Sequence, residues 1–390
     1  MGMKLEMPAR AALVGAFTAG LMATGAAMAQ DTIKIGVTQP LTGAFAASGN
    51  YVAQGAKIAE DEINKAGGVL GKKIQLVIED NKSNPTESVG TVEKLTQKDK
   101  VPVLMGAWSS TLTLAVMPKL EEYAIPMVVE TSSSGKITTA GNPYVFRISP
   151  TSEMEAKAFQ PLVAKMGIKK ADFLYTNNDF GIGSSQEFSK MLKANGVDVG
   201  ISETMDPKAT DFSAQLAKIK ASGGDTLFVT TAVEQLTLIL KQARDQQLKV
   251  KVISCGGSNS PDQLIAQAGE AANGSFHTVF FPPWFPELTK NPDVSKRYMD
   301  AWTKRGHNVG GLTEGYRGFD GIYTILAAIK AAGKAEPEAI RAALWNVAVK
   351  GVYGDIAFTK QGPAGKESGQ NIPSVYLVTI AGGKVAKPGF

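Results

Sequence analysis

The segment Ile33-Lys34-Ile35-Gly36-Val37-Thr38 is rich in β-branched residues and predicts a strand. Residues 51–65 follow it with apolar side chains at helical spacing, and Gly67-Gly68 marks the end of that helix. A second strand is predicted at residues 74–78, and helices and strands then alternate as far as a strand at 127–129. This order of elements is typical of a parallel sheet with helices on both faces.

The same order starts again after Arg147-Ile148-Ser149-Pro150. Strands are predicted there at residues 172–175, 197–203, 226–229 and 250–253, with helices between them. Three prolines make the aromatic segment at 280–286 extended, and the last third continues with helices and two late strands, at 353–358 and 375–380. The sequence therefore predicts an α/β fold of two doubly wound parallel-sheet lobes.

The first thirty residues have the pattern of a secretory signal peptide. Lys4 and Arg10 precede an uncharged run of small and apolar residues at 11–28, and Ala27-Met28-Ala29 fits a cleavage site. We expect residues 1–29 to be removed before Gln30 and the protein to reach the periplasm. A membrane anchor is the alternative, but the run is short and rich in alanine and glycine.

Composition limits the classes of function. The 390 residues include 44% hydrophobic and 20% charged side chains, as in a globular protein long enough for two domains. The net charge of +5 is spread along the chain without a dense basic cluster, so we do not expect nucleic acid as a partner. Cys255 is the only cysteine, which excludes an internal disulfide.

Catalytic and cofactor motifs are missing from the sequence. His277 and His307 are the only histidines, and no cluster has the spacing of metal ligands, so we expect neither a metal nor another cofactor. Gly181-Ile182-Gly183 resembles part of a dinucleotide-binding turn, but Gln186 stands where the third glycine is required. A dinucleotide-dependent enzyme therefore remains only an alternative, and a tight turn explains these glycines better.

Two hydroxyl-rich loops follow neighbouring strands. The first is Gly106-Ala107-Trp108-Ser109-Ser110, which opens a helix, and the second is Glu130-Thr131-Ser132-Ser133-Ser134. A helix N-terminus with added hydroxyls can bind a carboxylate, although Ser109 or Ser110 could instead simply cap the helix. Because ligands bind at the carboxyl ends of parallel strands, we expect both loops to face one cleft.

The chain resembles the leucine/isoleucine/valine-binding family of type I periplasmic binding proteins. The resemblance rests on Ile33 to Val37 followed by Pro40-Leu41-Thr42-Gly43, on residues 63–71, on the loop at 106–110 and on Asp179-Phe180-Gly181. It implies three hinge crossings between a first lobe, residues 31–149 plus 282–352, and a second lobe, residues 150–281 plus 353–390. It also implies a monomer that closes on a small organic solute bearing a carboxylate and delivers it to the membrane permease of an ABC importer.

The resemblance further implies which residues contact the solute, and where this chain departs from the family. Ser110, Thr131, Ser133 and Phe180 match binding positions, and Trp108 and Ser109 adjoin them. Gly256 stands where amino-acid binders have an acidic residue, while Ala232 and Ser48 replace aromatic contacts.

These departures favour a carboxylate with an apolar or aromatic body, stacked on Trp108, Phe45, Phe180 or Trp284. A free amino acid would need Glu234 or Glu130 as the counter-charge. A ligand-sensing partner of a membrane receptor is the remaining alternative. A cytoplasmic regulator is disfavoured by the leader and by the lack of a DNA-binding segment.

Overall fold

The structure is a computed structural model that describes residues 1–3 and 32–390. Residues 4–29 of the predicted signal peptide and its cleavage site before Gln30 lie outside the described residues. Within the described ranges, none of the helices has the length and apolar character needed to span a bilayer.

The first lobe is built on a seven-stranded sheet. Its first half comprises β1 (Thr32–Gln39), α1 (Ala46–Lys65), β2 (Lys73–Asp80), α2 (Pro85–Glu93, continued by a π-helical turn at Lys94–Lys98), β3 (Leu104–Met105), α3 (Ser110–Glu122), β4 (Met127–Val129), α4 (Lys136–Thr139) and β5 (Val145–Arg147). These strands are parallel. Ile33, Ile35 and Val37 of β1 are buried because helices cover both faces of the sheet.

The second lobe repeats this plan. It comprises α5 (Ser152–Phe159), α6 (Leu162–Lys165), β6 (Lys170–Thr176), α7 (Asp179–Ala194), β7 (Asp198–Met205), α8 (Ser213–Ser222), β8 (Thr226–Thr230), α9 (Val233–Asp245), β9 (Lys251–Cys255), α10 (Pro261–Ala268) and β10 (Phe276–Val279). Cys255 is buried and unpaired, as a small apolar residue of the core.

The last part of the chain serves both lobes. It comprises α11 (Pro292–Lys304), α12 (Leu312–Ala332), α13 (Pro337–Leu344), β11 (Val349–Lys350), β12 (Asp355–Ile356), β13 (Thr359–Gln361), β14 (Ser368–Gln370), β15 (Tyr376–Ala381) and β16 (Lys384–Ala386). Helix α12 packs on α1 so closely that a Cβ at Gly55 would lie 1.7 Å from the carbonyl oxygen of Gly315.

The strand orders confirm the predicted fold class. The first sheet runs β13-β14-β5-β4-β3-β1-β2 and the second runs β16-β15-β10-β9-β8-β6-β7, while β11 and β12 form a separate ribbon. Both large sheets are parallel except at one edge, where β13 pairs antiparallel with β14, and β15 pairs antiparallel with β10 and with β16. The chain crosses between the sheets three times, at residues 148–151, 280–291 and 371–375.

The third crossing differs from the sequence prediction. We predicted that residues 353–390 belong to the second lobe, but β13 and β14 extend the first sheet, so the boundary at 353 is wrong. The short polar strands have no apolar alternation that could reveal their place. They join the sheet through contacts distant in sequence, since Gln370 binds the Arg147 side chain and Gly369 packs on Phe146.

His277 is a neutral structural residue in β10. Its Nδ1 lies 2.7 Å from the Ser254 hydroxyl, which accepts from Asn259, and its Nε2 lies 2.7 Å from the Ser275 hydroxyl, which donates to the Ala272 carbonyl. These partners suit an imidazole with its proton on Nε2. Burial lowers the pKa of His277 to about 3.

We expect His277 to make the fold sensitive to acid. The unfolded histidine takes up a proton below about pH 6.5, whereas the folded one stays neutral down to about pH 3. Protonation of this group in the unfolded chain therefore lowers the free energy of unfolding by about 1.4 kcal/mol per pH unit as the pH falls through that window. Urea unfolding at pH 7 and pH 5.5 should show a smaller pH-dependent loss in His277→Gln than in the wild type. The control is the same substitution at the partly exposed His307. Equal pH slopes in the wild type and His277→Gln would contradict the prediction.

Candidate functional site

A cavity lies at the carboxyl ends of strands from both sheets. The first lobe lines it with Phe45, Trp108, Ser109, Ser110, Thr131, Ser132 and Ser133, and the second lobe with Thr176, Asn178, Phe180, Ala232, Gly256 and Ser258. This location, between two doubly wound sheets, is where ligands bind in such folds.

Almost all of the predicted contact residues line the cavity. Trp108, Ser109, Ser110, Thr131, Ser133, Phe180, Ala232 and Gly256 line it, and their role as ligand contacts stays a prediction. Ser48 is fully buried in the first turn of α1 and does not reach the cavity. Trp284 is also outside the lining, because its indole N–H donates to the Asp262 carboxylate on α10.

Helix α3 begins at the cavity wall and is not capped by a side chain. Ser109 occupies the N-cap position with extended backbone, but its hydroxyl makes no capping hydrogen bond. The Ser110 hydroxyl accepts a hydrogen bond from the Ser134 backbone N–H at 3.1 Å. Simple N-capping by these serines is therefore wrong, and the first-turn N–H groups of α3, which lack intrahelical acceptors, are available to a ligand.

The second hydroxyl-rich loop rests on a buried guanidinium. Arg147 donates to the carbonyl oxygens of Ser132 at 3.2 Å and Ser134 at 2.6 Å, and to the side chains of Thr138 and Gln370. All of these partners are neutral. Burial lowers the pKa of Arg147 to about 9, so the group stays cationic at neutral pH beneath the loop.

In the second lobe, Phe180 fills the place that a larger residue at 256 would occupy. A Cβ built on Gly256 would lie 2.2 Å from the ring of Phe180, and Gly256 has φ +95°. The Gly256 N–H donates to the Glu155 carboxylate at 2.7 Å, which fixes the loop after β9. The glycine thus allows Phe180 to form an apolar wall of the cavity. The nearby Glu155 carboxylate binds the loop and does not line the cavity.

Three aromatic rings give the cavity its apolar surface. The rings of Phe45 and Trp108 lie 4.9 Å apart between centroids, and Phe180 contributes the wall from the second lobe. Trp108 has φ +68°, a strained conformation for a bulky residue that turns the chain into α3. Gly181 lies in the first turn of α7 rather than in a tight turn, and a Cβ there would lie 2.0 Å from the Thr176 carbonyl oxygen, so the sequence interpretation was correct only in the close backbone approach.

Among the residues that the structure describes, no ionisable side chain lines the cavity. Glu130, the first residue of the second loop, is buried outside the cavity lining and accepts a hydrogen bond from Gln39 at 2.8 Å. Glu234 lies at the start of α9. Its carboxylate faces the backbone N–H groups of Ala47 and Ser48, but the geometry is not that of a hydrogen bond. Burial raises the pKa of each carboxyl to about 7. The two acids proposed as counter-charges therefore lie outside the cavity.

A polar contact joins the lobes beside the cavity. The Thr111 hydroxyl donates to the Asp179 carboxylate at 2.9 Å, the Asp179 N–H donates to Thr111 at 3.0 Å, and Lys136 lies 3.1 Å from the same carboxylate. Thr111 and Lys136 belong to the first lobe and Asp179 begins α7 of the second. These contacts hold the two lobes together around the cavity.

Several lining residues were not predicted from the sequence. These are Thr176, Asn178 and Ser258, whereas Ser132 belongs to the second hydroxyl-rich loop, which was expected to face the cleft. Each follows, or ends, a strand whose carboxyl end faces the cavity, so the position of the strand ends was the available signal. In the described part of the chain, no group of three or more His, Cys, Asp or Glu residues is arranged to hold a metal ion.

Comparison with known proteins gives consistent matches along the chain. A family model described as periplasmic binding protein matches residues 32–384. The leucine-, isoleucine-, valine-, threonine-, and alanine-binding protein of Pseudomonas aeruginosa is 27% identical over 336 residues, 86% of this chain and 88% of that protein.

Two solved structures are also similar. The leucine-binding protein LivK of Thermotoga maritima has a TM-score of 0.80 and 26% identity, over 92% of this chain and 98% of that one. A solute-binding protein of an ABC transporter from R. palustris, in complex with 4-hydroxybenzoate, has a TM-score of 0.78 and 26% identity, over 92% of this chain and 96% of that one. These relatives are named as solute-binding proteins, not as enzymes.

Proposed function

The chain belongs to the periplasmic binding protein family, and from this premise we propose that it captures a small carboxylate with an aromatic or branched apolar body and no ammonium group. The observation that carries the proposal is the lining of the cavity. An uncapped, hydroxyl-rich helix N-terminus and three aromatic rings meet there, and among the described residues no acidic side chain joins them.

The carboxylate is assigned to the N-terminus of α3. The first-turn N–H groups and the Ser110 hydroxyl supply donors, and the helix dipole favours negative charge at this end. The Arg147 guanidinium adds positive charge below the neighbouring loop, with only neutral hydrogen-bond partners. Thr131 and Ser133 lie on that loop and complete the carboxylate-binding wall of the cavity.

The body of the solute is assigned to the space between Phe45, Trp108 and Phe180. Flat rings pack well on such surfaces, and aromatic contacts add to the free energy of burying apolar area. An α-ammonium group would lose its hydration in the cavity without a counter-ion there, which costs several kcal/mol. The name of the Pseudomonas aeruginosa relative supports amino acids, so leucine is the competing ligand.

The transport role follows from the family and from the two-lobed structure. We infer that the solute closes the lobes by contacting both, with the contact of Asp179 to Thr111 formed in the closed state. The closed monomer, exported to the periplasm, would then be recognised by the membrane permease of an ABC importer. The alternative partner is a membrane receptor that recognises the same closed form.

Isothermal titration calorimetry tests the choice of ligand. The protein would be purified from the periplasm of a bacterial host, unfolded and refolded to remove any bound solute, and titrated with benzoate, isovalerate, L-leucine and benzamide. We expect at least one of the two carboxylates to bind at least a hundredfold tighter than leucine, which corresponds to about 3 kcal/mol. Benzamide, which has the ring without the charge, is expected to bind weakly.

The opposite order would overturn the proposal. If leucine binds as tightly as either carboxylate, the protein is an amino-acid binder and an acid outside the cavity reaches the ammonium group. If benzamide matches benzoate, the helix N-terminus is not the site of a carboxylate.

A further inference from the structure

A polar bridge joins the first turn of α3 in the first lobe to the first turn of α7 in the second. The Thr111 hydroxyl donates to one Asp179 carboxylate oxygen at 2.9 Å and accepts from the Asp179 backbone N–H at 3.0 Å. A hydroxyl can donate one hydrogen bond while it accepts another, so a single side chain makes both contacts. Lys136, at the start of α4, lies 3.1 Å from the other carboxylate oxygen. Thr111, Asp179 and Lys136 together form the interlobe bridge.

The interlobe bridge starts from the same two helix turns that line the cavity. Ser110 lines the cavity and is followed directly by Thr111, while Asn178 and Phe180 line it on either side of Asp179 in the chain. The three residues of the bridge are not part of the lining. The solute and the bridge are therefore held by the same turns but by different side chains, so a solute that draws these turns together also brings Thr111 to Asp179.

The contacts of the interlobe bridge exist only when the lobes are together. Within the described residues, the Asp179 carboxylate has Thr111 and Lys136 as its hydrogen-bond and ion-pair partners, and both belong to the first lobe. The Asp179 N–H is the first of α7 and has no acceptor within its own helix. Separation of the lobes thus breaks all three contacts and exposes these groups to water, so the bridge stabilises the closed form alone.

The pair of Thr111 and Asp179 contributes more to the bridge than Lys136 does. Both residues are half-buried, and one of their two hydrogen bonds has a charged acceptor, which makes it stronger than a neutral one. The Lys136 side chain is 70% exposed, so its ion pair is weakened by water and by salt.

We propose that Thr111 and Asp179 are positioning residues that set the affinity and the residence time of the solute without touching it. Because the bridge stabilises only the closed form, it shifts the equilibrium between open and closed lobes by one factor for every solute. It forms after the solute has met the open protein, so it slows release more than it changes capture. The inference rests on the proposed function in one respect, which is that a solute closes the lobes.

Stopped-flow fluorescence tests the proposal, since Trp108 lines the cavity and reports the arrival of a solute. The refolded protein would be mixed with benzoate, isovalerate and L-leucine. Thr111→Val keeps the shape of the side chain and loses the hydroxyl, so we expect it to raise the release rate constant about tenfold and to change the capture rate constant less than about twofold. The factor should be the same for each solute that binds, whereas a side chain that contacts the solute would give different factors.

Three further variants separate the bridge from a general effect on the fold. Thr111→Ser keeps the hydroxyl and should release the solute within about twofold of the wild-type rate. Asp179→Ala should act like Thr111→Val, and the double variant should release the solute little faster than either single one, because both remove the same interaction. Lys136→Ala should raise the release rate about twofold at low salt, and this difference should disappear at about 1 M salt.

Asp211→Ala is the matched control. The Asp211 carboxylate also accepts from a hydroxyl and a backbone N–H, those of Ser213 at 2.6 Å and 2.9 Å, but both residues belong to the second lobe. Asp211 is exposed and outside the cavity lining, so its replacement should leave the release rate unchanged.

The outcomes distinguish the two proposals. A wild-type release rate in Thr111→Val, or a factor that differs between solutes, would overturn the role of the bridge. The closed form would then depend on the buried Arg317 of α12, which donates to the Gly257 carbonyl oxygen of the second lobe at 2.9 Å. Binding of leucine without benzoate or isovalerate would overturn the proposed ligand class, and the bridge would still be judged by the release of leucine.

Discussion

Replacing Arg147 with methionine is expected to lower the free energy of unfolding by about 3–5 kcal/mol and to abolish solute binding. The guanidinium is fully buried and donates to two loop carbonyls, to Thr138 and to Gln370. Methionine fills much of the volume but leaves these acceptors without donors in the core. The loop at residues 131–134 would then lose the support that holds it against the cavity.

The measurement is urea unfolding, followed by calorimetry with the preferred carboxylate. Arg147→Lys keeps the charge but loses the planar fork, so its loss of stability should be intermediate. Arg341→Met is the matched control, because Arg341 makes a surface ion pair with Glu338 at 2.8 Å and should change stability by less than about 1 kcal/mol. Wild-type stability in Arg147→Met would show that the loop does not depend on the guanidinium.

Replacing Ser110 with alanine is expected to weaken binding of the carboxylate by about 10- to 100-fold, since a hydrogen bond to a charged group contributes about 1.5–3 kcal/mol. The Ser110 oxygen already accepts from the Ser134 N–H, so its own proton is free to donate into the cavity. Alanine removes that donor and also leaves the Ser134 N–H without its acceptor.

Calorimetry with the wild type and the variant measures this loss. Ser88→Ala is the serine control, with unchanged affinity expected, because Ser88 is a buried serine of α2 outside the cavity lining. An affinity of Ser110→Ala within about twofold of the wild type would place the carboxylate elsewhere in the cavity. A loss of the same size for an uncharged analogue would mean that the hydroxyl supports the shape of the loop rather than the charge.

Most of the secondary structure and most of the cavity lining could be predicted from the sequence. Local apolar patterning marks β1 and α1 because each buries its own set of side chains. The two hydroxyl-rich loops could be placed in one cleft because their strands, β3 and β4, were expected to be neighbours and are paired in the sheet. The rule that ligands bind at the carboxyl ends of such strands then located the site.

The third crossing and the place of the buried charges could not be predicted in this way. Strands β13 and β14 are short and polar, and they pair with the first sheet through contacts to Phe146 and Arg147, more than 200 residues away. Arg147 looked like an ordinary charged residue at the end of a strand. Its role depends on the loop carbonyls and Gln370, which surround it only in the folded protein.

Two α/β lobes and a hydroxyl-rich helix start could be predicted from the sequence, because each is encoded within a few neighbouring residues. The packing of the two lobes was needed to show that Phe180 fills the space beside Gly256 and that Glu130 and Glu234 lie outside the cavity. The physical reason is that the direction, burial and partners of a side chain are set by segments far apart in the chain, which meet only after both sheets have formed.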